Sequence, residues 1–213
     1  MKISIIVLAA GTSARMGRPK PLLEFDGRTC LSLVLSACLG SRAEGTTVVL
    51  GSEAEMIRSA IEAPEFLAAI EAGRLRSVVN RRFDRGQTSS LKSGLEALPA
   101  GIDGFVVFPV DHPLVTSNDI DALIGRFAPR PRGRTIFVAA YENGRGHPVL
   151  FSIGHRTGIL ELGDDEPLHG FLRVREGEIE RVCLNSPGVI MSMNTPEEYQ
   201  KILSAYRARL GAS

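Results

Sequence analysis

Short apolar runs alternate with segments of helical periodicity over the first 140 residues, and this alternation limits the possible folds more than any other feature of the chain. Five runs rich in β-branched residues predict strands, at 3–8, 46–50, 77–79, 104–110 and 135–140. The segments between them predict helices, at 30–39, 54–72 with a break at Pro64, 89–98 and 118–127. After residue 140 the rhythm changes to a glycine-containing segment, a helical stretch, a charged segment and a final helix that Thr195 would cap.

The first apolar run is continuous rather than alternating, which is typical of a parallel strand covered on both faces. Repeated βαβ units predict an α/β fold, a three-layer αβα sandwich around a mainly parallel, Rossmann-like sheet. Residues 1–213 show no linker, repeat or low-complexity tract, so we expect a single domain. Ligands of such sheets bind beyond the carboxyl ends of the strands.

Composition excludes several classes of protein. The chain has 25 basic and 24 acidic side chains, and a net charge of +1 argues against a general nucleic-acid or acidic-membrane binder. The apolar run at the N-terminus is too short to span a bilayer and lacks a secretory pattern. Three cysteines without CxxC spacing fit neither a disulfide framework nor a zinc site, which favours a cytoplasmic protein with Cys30 and Cys38 as small buried apolar residues.

The segment 8–20 after the first strand carries the strongest chemical signal. Its small residues allow backbone N–H groups to approach a phosphate, and Arg15 and Lys20 supply positive charge. The segment matches neither GxGxxG nor GxxxxGK[ST], which disfavours a dinucleotide-binding oxidoreductase and a P-loop protein. The alternative is an ordinary glycine-containing turn with two solvated cations.

Residues 8–20 also resemble the opening motif LAAGxSxRMGxxK of the MobA-like nucleotidyltransferases, in particular the molybdenum cofactor cytidylyltransferase branch, and match it at every fixed position. The resemblance extends along the chain to Tyr199. It implies that Arg15 and Lys20 are catalytic and neutralise the triphosphate. Alanine rather than glycine at Ala10 implies cytidine rather than guanosine. The nucleotide-binding residues implied in this loop are Leu8, Ala9, Ala10, Gly11, Thr12 and Ser13.

A second matching stretch, at 80–94, implies further nucleotide contacts from Asn80, Gly86, Ser89 and Ser90. Glycine at position 86 would permit a tight turn, and the two hydroxyls could bind base and ribose. For Ser89 a simple N-cap of the following helix is an equal alternative.

Asp111 follows the predicted strand 104–110 directly and matches the D-x-P motif of the family, whose aspartate is catalytic and holds a metal. A carboxylate at the end of a central strand suits Mg²⁺ that bridges phosphate oxygens. His112 is expected to be a spacer. The family's second metal position falls on Asn194, where Ser192 and Asn194 replace the aspartates common in this branch, so the site should be weaker; a plain turn is the alternative.

The acceptor side is matched less closely. The stretch 145–151 resembles the family's substrate motif, which implies that Gly146 allows close backbone approach and that His147 contacts an acceptor phosphate or pterin; an ordinary surface histidine is the alternative. The segment 163–170 keeps a Gly-Asp pair but lacks the G-A-R that commonly follows in the family, which leaves the acceptor open.

The resemblance therefore implies a Mg²⁺-dependent enzyme that moves CMP from CTP to a phosphorylated small-molecule acceptor, molybdopterin or the molybdenum cofactor, and releases pyrophosphate. A phosphate acceptor is anionic at neutral pH, so no general base is required. Neither nucleic acid nor a membrane is an expected partner, and transient contact with a molybdoenzyme or its chaperone is compatible with this role. Two alternatives stay open: transfer to a sugar or alcohol phosphate, and a non-catalytic nucleotide- or cofactor-binding module.

Overall fold

The computed structural model describes residues 1–129 and 132–211. The strands in this part of the chain are β1 Ile3–Ala9, β2 Glu24–Phe25, β3 Arg28–Thr29, β4 Gly45–Leu50, β5 Leu75–Val79, β6 Gly104–Pro109, β7 Ile136–Tyr141, β8 Gly144–Ser152 and β9 Ile179–Cys183. The helices are α1 Cys30–Leu39, α2 Ala54–Ile61, α3 Leu67–Glu71, α4 Gln87–Glu96, α5 Ser117–Phe127, α6 His155–Leu160, α7 Leu168–Arg173 and α8 Pro196–Gly211.

Seven of these strands form one mostly parallel sheet. Their order is β5-β4-β1-β6-β8-β7-β9, and β8 alone runs antiparallel to its two neighbours. β2 and β3 form a separate two-stranded ribbon. β1 lies between β4 and β6 and pairs in parallel with both, so the residues that follow β1 and β6 leave the sheet side by side.

Helices cover both faces of the sheet, because successive residues of a buried strand point to opposite sides. Ile5 and Val7 of β1 pack in the core that α1, α2, α5 and α8 cover. Ile6 and Leu8 pack in the core on the other face, with α4, α6 and α7. The three-layer αβα prediction is thus confirmed, and the five predicted strands and four predicted helical segments lie where expected, with α2 and α3 separated around Pro64.

Two strands of the sheet were not predicted, for different physical reasons. β9 is an edge strand whose side chains alternate between inside and outside, so its sequence IERVC reads as charged rather than apolar. β8 begins with glycines and a proline, residues that are depleted in strands, and only its second half is fully buried. The predicted change of rhythm after residue 140 is therefore the place where an antiparallel strand enters the sheet.

Smaller predictions agree with the structure as well. Thr195 caps α8: its Oγ1 accepts a hydrogen bond from Glu198 N at 3.3 Å, and Glu198 Oε2 accepts one from Thr195 N at 3.3 Å. Cys30 and Cys38 are fully buried, as predicted. Among the described helices, none combines the length and apolar character needed to cross a bilayer.

Candidate functional site

A cleft of about 490 Å³ opens at the carboxyl ends of β1 and β6. Leu8 of β1 lies opposite Pro109 of β6, so the loops that follow these two residues form its adjacent walls. Its lining includes most of the nucleotide-binding and catalytic residues predicted from the sequence: Leu8, Ala9, Ala10, Gly11, Thr12, Ser13, Arg15, Lys20, Gly86, Ser90, Asp111 and Asn194. Four segments distant in sequence therefore meet at one edge of the sheet.

The loop after β1 is held in its curved path by two left-handed residues and one side chain. Ser13 has φ 53° and Gly17 has φ 63°. Ser13 Oγ accepts a hydrogen bond from Lys20 N at 2.9 Å and so ties the two ends of the loop together. Because the backbone curves in this way, Arg15 and Lys20 both line the same cleft.

Lys20, Asp111 and Asn194 form the charged centre of the cleft. Lys20 Nζ lies 3.0 Å from Asp111 Oδ2 and donates a hydrogen bond to Asn194 Oδ1 at 2.9 Å. The side chains of Lys20 and Asp111 are only 16% and 19% exposed, so water screens this pair much less than a surface ion pair. These three residues, from three separate segments, are thus brought into direct contact.

Neighbouring groups hold Asn194 in this position. Its backbone N–H donates to Glu198 Oε2 at 2.5 Å, and its Nδ2 donates to Ser192 Oγ at 3.2 Å, which leaves Oδ1 directed at Lys20. The N–H of Met193 donates to the Asp111 carbonyl oxygen at 3.1 Å and links this segment to the end of β6. Ser192 therefore orients the neighbouring amide.

The donor set of this centre fits a hard divalent cation. Carboxylate and amide oxygens are ligands that Mg²⁺ accepts, and Asp111 Oδ2 and Asn194 Oδ1 already converge on one cation, the Lys20 ammonium. In the residues described, no group of three or more His, Cys, Asp or Glu side chains could hold a metal. The protein alone therefore offers few ligands, and substrate phosphates would have to supply the others.

Asn80 and Ser89 lie beneath the cleft rather than in its wall. Both are buried, and Asn80 Nδ2 donates to Ser89 Oγ at 2.8 Å and to Ser90 Oγ at 3.1 Å. Asn80 Oδ1 accepts from Arg82 N at 2.9 Å. The polar groups of Asn80 and Ser89 form hydrogen bonds that shape the loop between β5 and α4. The position of these two side chains therefore does not match direct contact with the base and ribose of a nucleotide. Ser90 does line the cleft.

Helix α4 begins at Gln87, with Gly86 at the N-cap position, so the alternative that Ser89 is a simple N-cap is wrong. Ser89 Oγ instead donates to the Gly86 carbonyl oxygen at 2.7 Å. Gly86 has φ +127°, and a Cβ there would lie 2.9 Å from the Asp164 carbonyl oxygen. Glycine is therefore required at position 86 by both the backbone angle and a close neighbour.

The segment 163–170, where the sequence departs from the family pattern, packs against this same loop and helix. Asp164 accepts a hydrogen bond from Lys92 Nζ at 3.1 Å and forms an ion pair with Arg82 at 3.2 Å. Hydrogen bonding from Lys92 and the charge of Arg82 lower the pKa of Asp164. The segment does not line either cleft in the described structure, so it supports Gly86 from outside.

A second cleft, of about 300 Å³, adjoins the first and contains the predicted acceptor residues Gly146 and His147. Its other lining residues are Gln87, Pro109, Asp111, His112, Arg145, Ile190 and Ser192. Gln87, Pro109 and Asp111 belong to both clefts. Asp111 therefore stands on the boundary between the expected nucleotide side and the expected acceptor side.

His112, which the sequence analysis treats as a spacer, is a packed residue of this boundary. It is 5% exposed, its ring lies 4.9 Å from that of His147, and its Nε2 is 3.8 Å from Asp111 Oδ1. Both Nδ1 atoms are buried without a hydrogen-bond partner among the described residues. Burial lowers the pKa of both imidazoles, that of His147 to about 4, and favours their neutral forms.

The backbone at Gly146 packs closely against another segment of the protein. A Cβ at this position would lie 2.0 Å from the Val189 carbonyl oxygen, in a 3-10 turn at Pro187–Ile190. Glycine at 146 therefore lets β8 pack against this turn, which is a different reason from the predicted approach to a substrate.

Comparison with known protein families matches residues 5–182 to the MobA-like NTP transferase domain. The chain belongs to the MobA-like NTP transferase family. Its sequence is similar to the purine catabolism protein PucB of Bacillus subtilis, with 29% identity over 94% of this chain and 95% of PucB. It is also similar to the bifunctional protein GlmU of Mycolicibacterium vanbaalenii, with 31% identity over 77% of this chain but 34% of GlmU, so it spans about a third of that protein.

Solved structures share the same fold. A homologue of Mycobacterium tuberculosis Rv0371c from Mycobacterium sp. strain JC1 superposes with a TM-score of 0.79 at 27% identity, and the match covers 99% of this chain and 100% of that one. Rv0371c itself, whose structure is described in complex with manganese, gives a TM-score of 0.78 at 22% identity over 96% of this chain and all of its own. The MobA-like domain thus accounts for the αβα architecture and identifies nucleotidyl transfer as the class of activity.

Several residues that line the two clefts of this MobA-like domain were not predicted, Gln87 and Ile190 among them, and neither was the packing of His112. Gln87 and Ile190 carry no local signal, because an amide at a helix start and an apolar residue in a turn are common. His112 follows Asp111 directly in a strand-end motif, and its proximity to His147 depends on β8 lying beside β6. Its position directly after the aspartate of the D-x-P motif is the one signal that could have identified it.

Proposed function

We propose that this chain is a Mg²⁺-dependent nucleotidyltransferase that moves CMP from CTP to the phosphate of molybdopterin or its molybdenum cofactor. The single observation that carries the proposal is the position of Asp111. It lines both the cleft built on the motif loop and the adjoining cleft with His147. A reaction between a nucleotide in one cleft and an acceptor in the other would take place beside this carboxylate.

The chemistry requires no general base. An oxygen of the acceptor phosphate forms a bond to the α-phosphorus of the triphosphate, and the bond from that phosphorus to the bridging oxygen breaks. Pyrophosphate leaves with the electron pair. The work of the protein is therefore to hold the two anionic substrates in line and to stabilise the charge of the leaving group.

The residues of this chain divide that work between them. The N–H groups of the loop 8–20 approach the triphosphate, and Arg15 and Lys20 neutralise its charge. The neutral imidazole of His147 and the backbone at Gly146 face the acceptor. Asn80 and Ser89 fix the loop that carries Gly86 and Ser90. Asp111 and Asn194 would hold the metal, which supplies positive charge to the reacting phosphates.

The choice of CTP rests on Ala10 within the motif, and the choice of molybdopterin rests on the acceptor-side resemblance. Ala10 lines the cleft together with the rest of the motif loop, which supports a contact between Ala10 and the bound nucleotide. A cytoplasmic location fits the three free cysteines, of which two are buried. Transient contact with a molybdoenzyme or its chaperone would deliver such a product.

The test is pyrophosphate release from CTP, GTP and ATP, each with molybdopterin, a sugar phosphate or an alcohol phosphate, with and without Mg²⁺. We expect turnover with CTP, molybdopterin and Mg²⁺ together. Turnover with a sugar or alcohol phosphate alone would replace the acceptor assignment. Nucleotide binding without turnover on any acceptor would indicate the non-catalytic module and contradict the proposal.

The variant Asp111→Asn tests the position on which the proposal depends. Loss of the carboxylate removes the metal ligand and the anion beside Lys20, and we expect turnover to fall by about 10²-fold or more, the scale of losing one group that stabilises a transition state. Asp103→Asn is a matched control, because Asp103 precedes β6 at the opposite end of the same strand. Equal activity of the Asp111 variant and the control would remove Asp111 from the reaction.

A further inference from the structure

The ammonium group of Lys20 occupies the position that the donor chemistry assigns to a metal. Asp111 Oδ2 and Asn194 Oδ1, the two oxygens that would hold the divalent cation, both contact Lys20 Nζ, at 3.0 and 2.9 Å. The ammonium takes one acceptor site of each oxygen and fills the space between the two atoms, at 3.0 and 2.9 Å. A metal that binds both oxygens in this space therefore competes with Lys20 for it.

Within the group of side chains that contact Lys20 Nζ, the charge is balanced with Lys20 in place. Lys20 contributes one positive charge and Asp111 one negative charge, while Asn194 is neutral. A divalent ion added beside Lys20 would face a like charge at short range, in a place where water screens little. A second carboxylate in place of Asn194 would have left a negative charge to attract the ion.

The structure also shows which part of Lys20 is free to move. Its backbone is fixed, because Lys20 N donates to Ser13 Oγ at 2.9 Å and Leu23 N donates to the Lys20 carbonyl oxygen at 3.2 Å. Its side chain is a flexible four-carbon stem with a mobile ammonium group. The ammonium can therefore change partner while the cleft-lining loop keeps its shape.

We propose that Lys20 is the resident cation of this site and that it exchanges with the metal when a nucleoside triphosphate binds. The triphosphate would attract the ammonium away from Asp111 and Asn194, and the oxygens of these two residues would then be free to hold the metal. This proposal rests on the proposed function, since it assumes that the same cleft receives the triphosphate. It makes the site a poor metal binder until the nucleotide has arrived.

The exchange predicts thermodynamic coupling between the two ligands. If the nucleotide strengthens metal binding by removing Lys20, the metal must strengthen nucleotide binding by the same factor. A variant with an uncharged side chain at position 20 loses the part of this coupling that comes from Lys20. In the absence of nucleotide, such a variant should bind the metal more tightly than the unmodified protein does.

The experiment titrates Mn²⁺, as a paramagnetic probe, into the nucleotide-free full chain and its variants. We expect Lys20→Met to bind Mn²⁺ about tenfold more tightly than the original protein, which corresponds to about 1.4 kcal/mol. Lys20→Arg keeps a cation at the site and should bind as weakly as the original. Arg18→Met removes an exposed cation from the same loop and is the matched control, with an unchanged dissociation constant.

A second measurement follows the Lys20 side chain directly by NMR, with its signal assigned by its loss in Lys20→Met. A non-hydrolysable CTP analogue without metal should shift this signal, because the ammonium changes partner. If folded Lys20→Met binds Mn²⁺ no more tightly than the original, or if the analogue binds without shifting the signal, the exchange is overturned. A different outcome would separate the two proposals. If the unmodified protein releases no pyrophosphate but Lys20→Met binds Mn²⁺ more tightly, the proposed function is overturned and the exchange is left intact.

Discussion

At the scale of single residues, the site depends on groups whose charge state is set by their surroundings. His147 and His112 pack against each other beside Asp111, and both are kept neutral by burial. Lys20 and Asp111 form an ion pair beside them, with Lys20 Nζ 3.0 Å from Asp111 Oδ2. A neutral pair of imidazoles next to an ion pair gives the acceptor side hydrogen-bonding groups without additional charge.

The stability of the protein should fall in mild acid because of His147. Its pKa is about 4 in the folded protein, owing first to burial and then to the repulsion that the protonated forms of His147 and His112 would have, against about 6.5 when unfolded. The unfolded chain therefore binds the proton more readily between these values, and folding loses stability as the pH falls through this window. From pH 7 to pH 5 the expected contribution is about 2 kcal/mol of unfolding free energy.

Urea unfolding at the two pH values measures this contribution. Between pH 7 and pH 5, the free energy of unfolding should fall by about 2 kcal/mol more in the unmodified protein than in His147→Gln. His169→Gln, at an exposed histidine, should behave like the original. An identical loss in the original and in His147→Gln would show that His147 does not resist protonation.

At the scale of elements, close packing of helix on sheet sets the position of the loops that form the clefts. Helix α4 begins at the cleft wall and packs against β1 and β4 through Gly94. A Cβ at Gly94 would lie 2.4 Å from Ile6 Cγ2 and 3.1 Å from Val49 Cγ2. Since Ile6 and Val49 are fully buried, neither can move aside easily.

Gly94→Ala should destabilise the protein even though alanine favours helices. Overpacking at such a contact costs about 1–3 kcal/mol, which exceeds the gain of about 1 kcal/mol in helix propensity. Gly170→Ala in α7 is the matched control, because a Cβ there meets nothing within 4 Å, and it should be neutral or stabilising. Chemical denaturation of both variants checks this, and stabilisation by Gly94→Ala would contradict the packing argument.

The N-cap of α8 gives a second prediction at this scale. Thr195 caps the helix, and Glu198 also holds the backbone N–H of Asn194. Thr195→Ala should cost about 1 kcal/mol of stability and loosen Asn194. Thr195→Ser retains the hydroxyl and should restore most of the stability in thermal unfolding; equal loss in both variants would argue against capping.

At the scale of the whole molecule, the cleft joins loops that are far apart in the sequence. Residues near 10, 20, 86, 111 and 194 line one space, so a ligand that fills it links β1, α4, β6 and the start of α8. A ligand that binds only the folded protein raises the free energy of unfolding, by about 2.7 kcal/mol when its concentration is a hundred times its dissociation constant. The near-neutral overall charge leaves this binding to local groups.

Thermal unfolding with each nucleoside triphosphate tests this linkage. We expect CTP with Mg²⁺ to raise the unfolding temperature most, because the motif loop with Ala10 is expected to favour cytidine. GTP and ATP should give smaller shifts at the same concentration, and omission of Mg²⁺ should reduce the shift. An equal or larger shift with GTP would contradict the assignment of the base.

Local sequence patterns are sufficient to predict the αβα architecture and one half of the candidate site. Continuous apolar runs reveal buried parallel strands, because both faces of such a strand exclude polar residues. The motif 8–20 follows one strand and Asp111 follows another, so their meeting at one sheet edge could be predicted from local patterns. Thr195 as a cap, with Glu198 three residues later, is an equally local signal.

Tertiary structure alone decided how the other half is arranged. β8 enters the sheet beside β6, and this pairing places His147 against His112 and divides the clefts at Asp111. It also showed that Asn80 and Ser89 support a loop, that Gly146 fits against Val189, and that Lys20 stands between Asp111 and Asn194. Local sequence encodes the hydrophobic periodicity of each helix or strand and the residues at which it begins and ends. Contacts between distant segments depend instead on strand order and on which side-chain atoms face one another after packing.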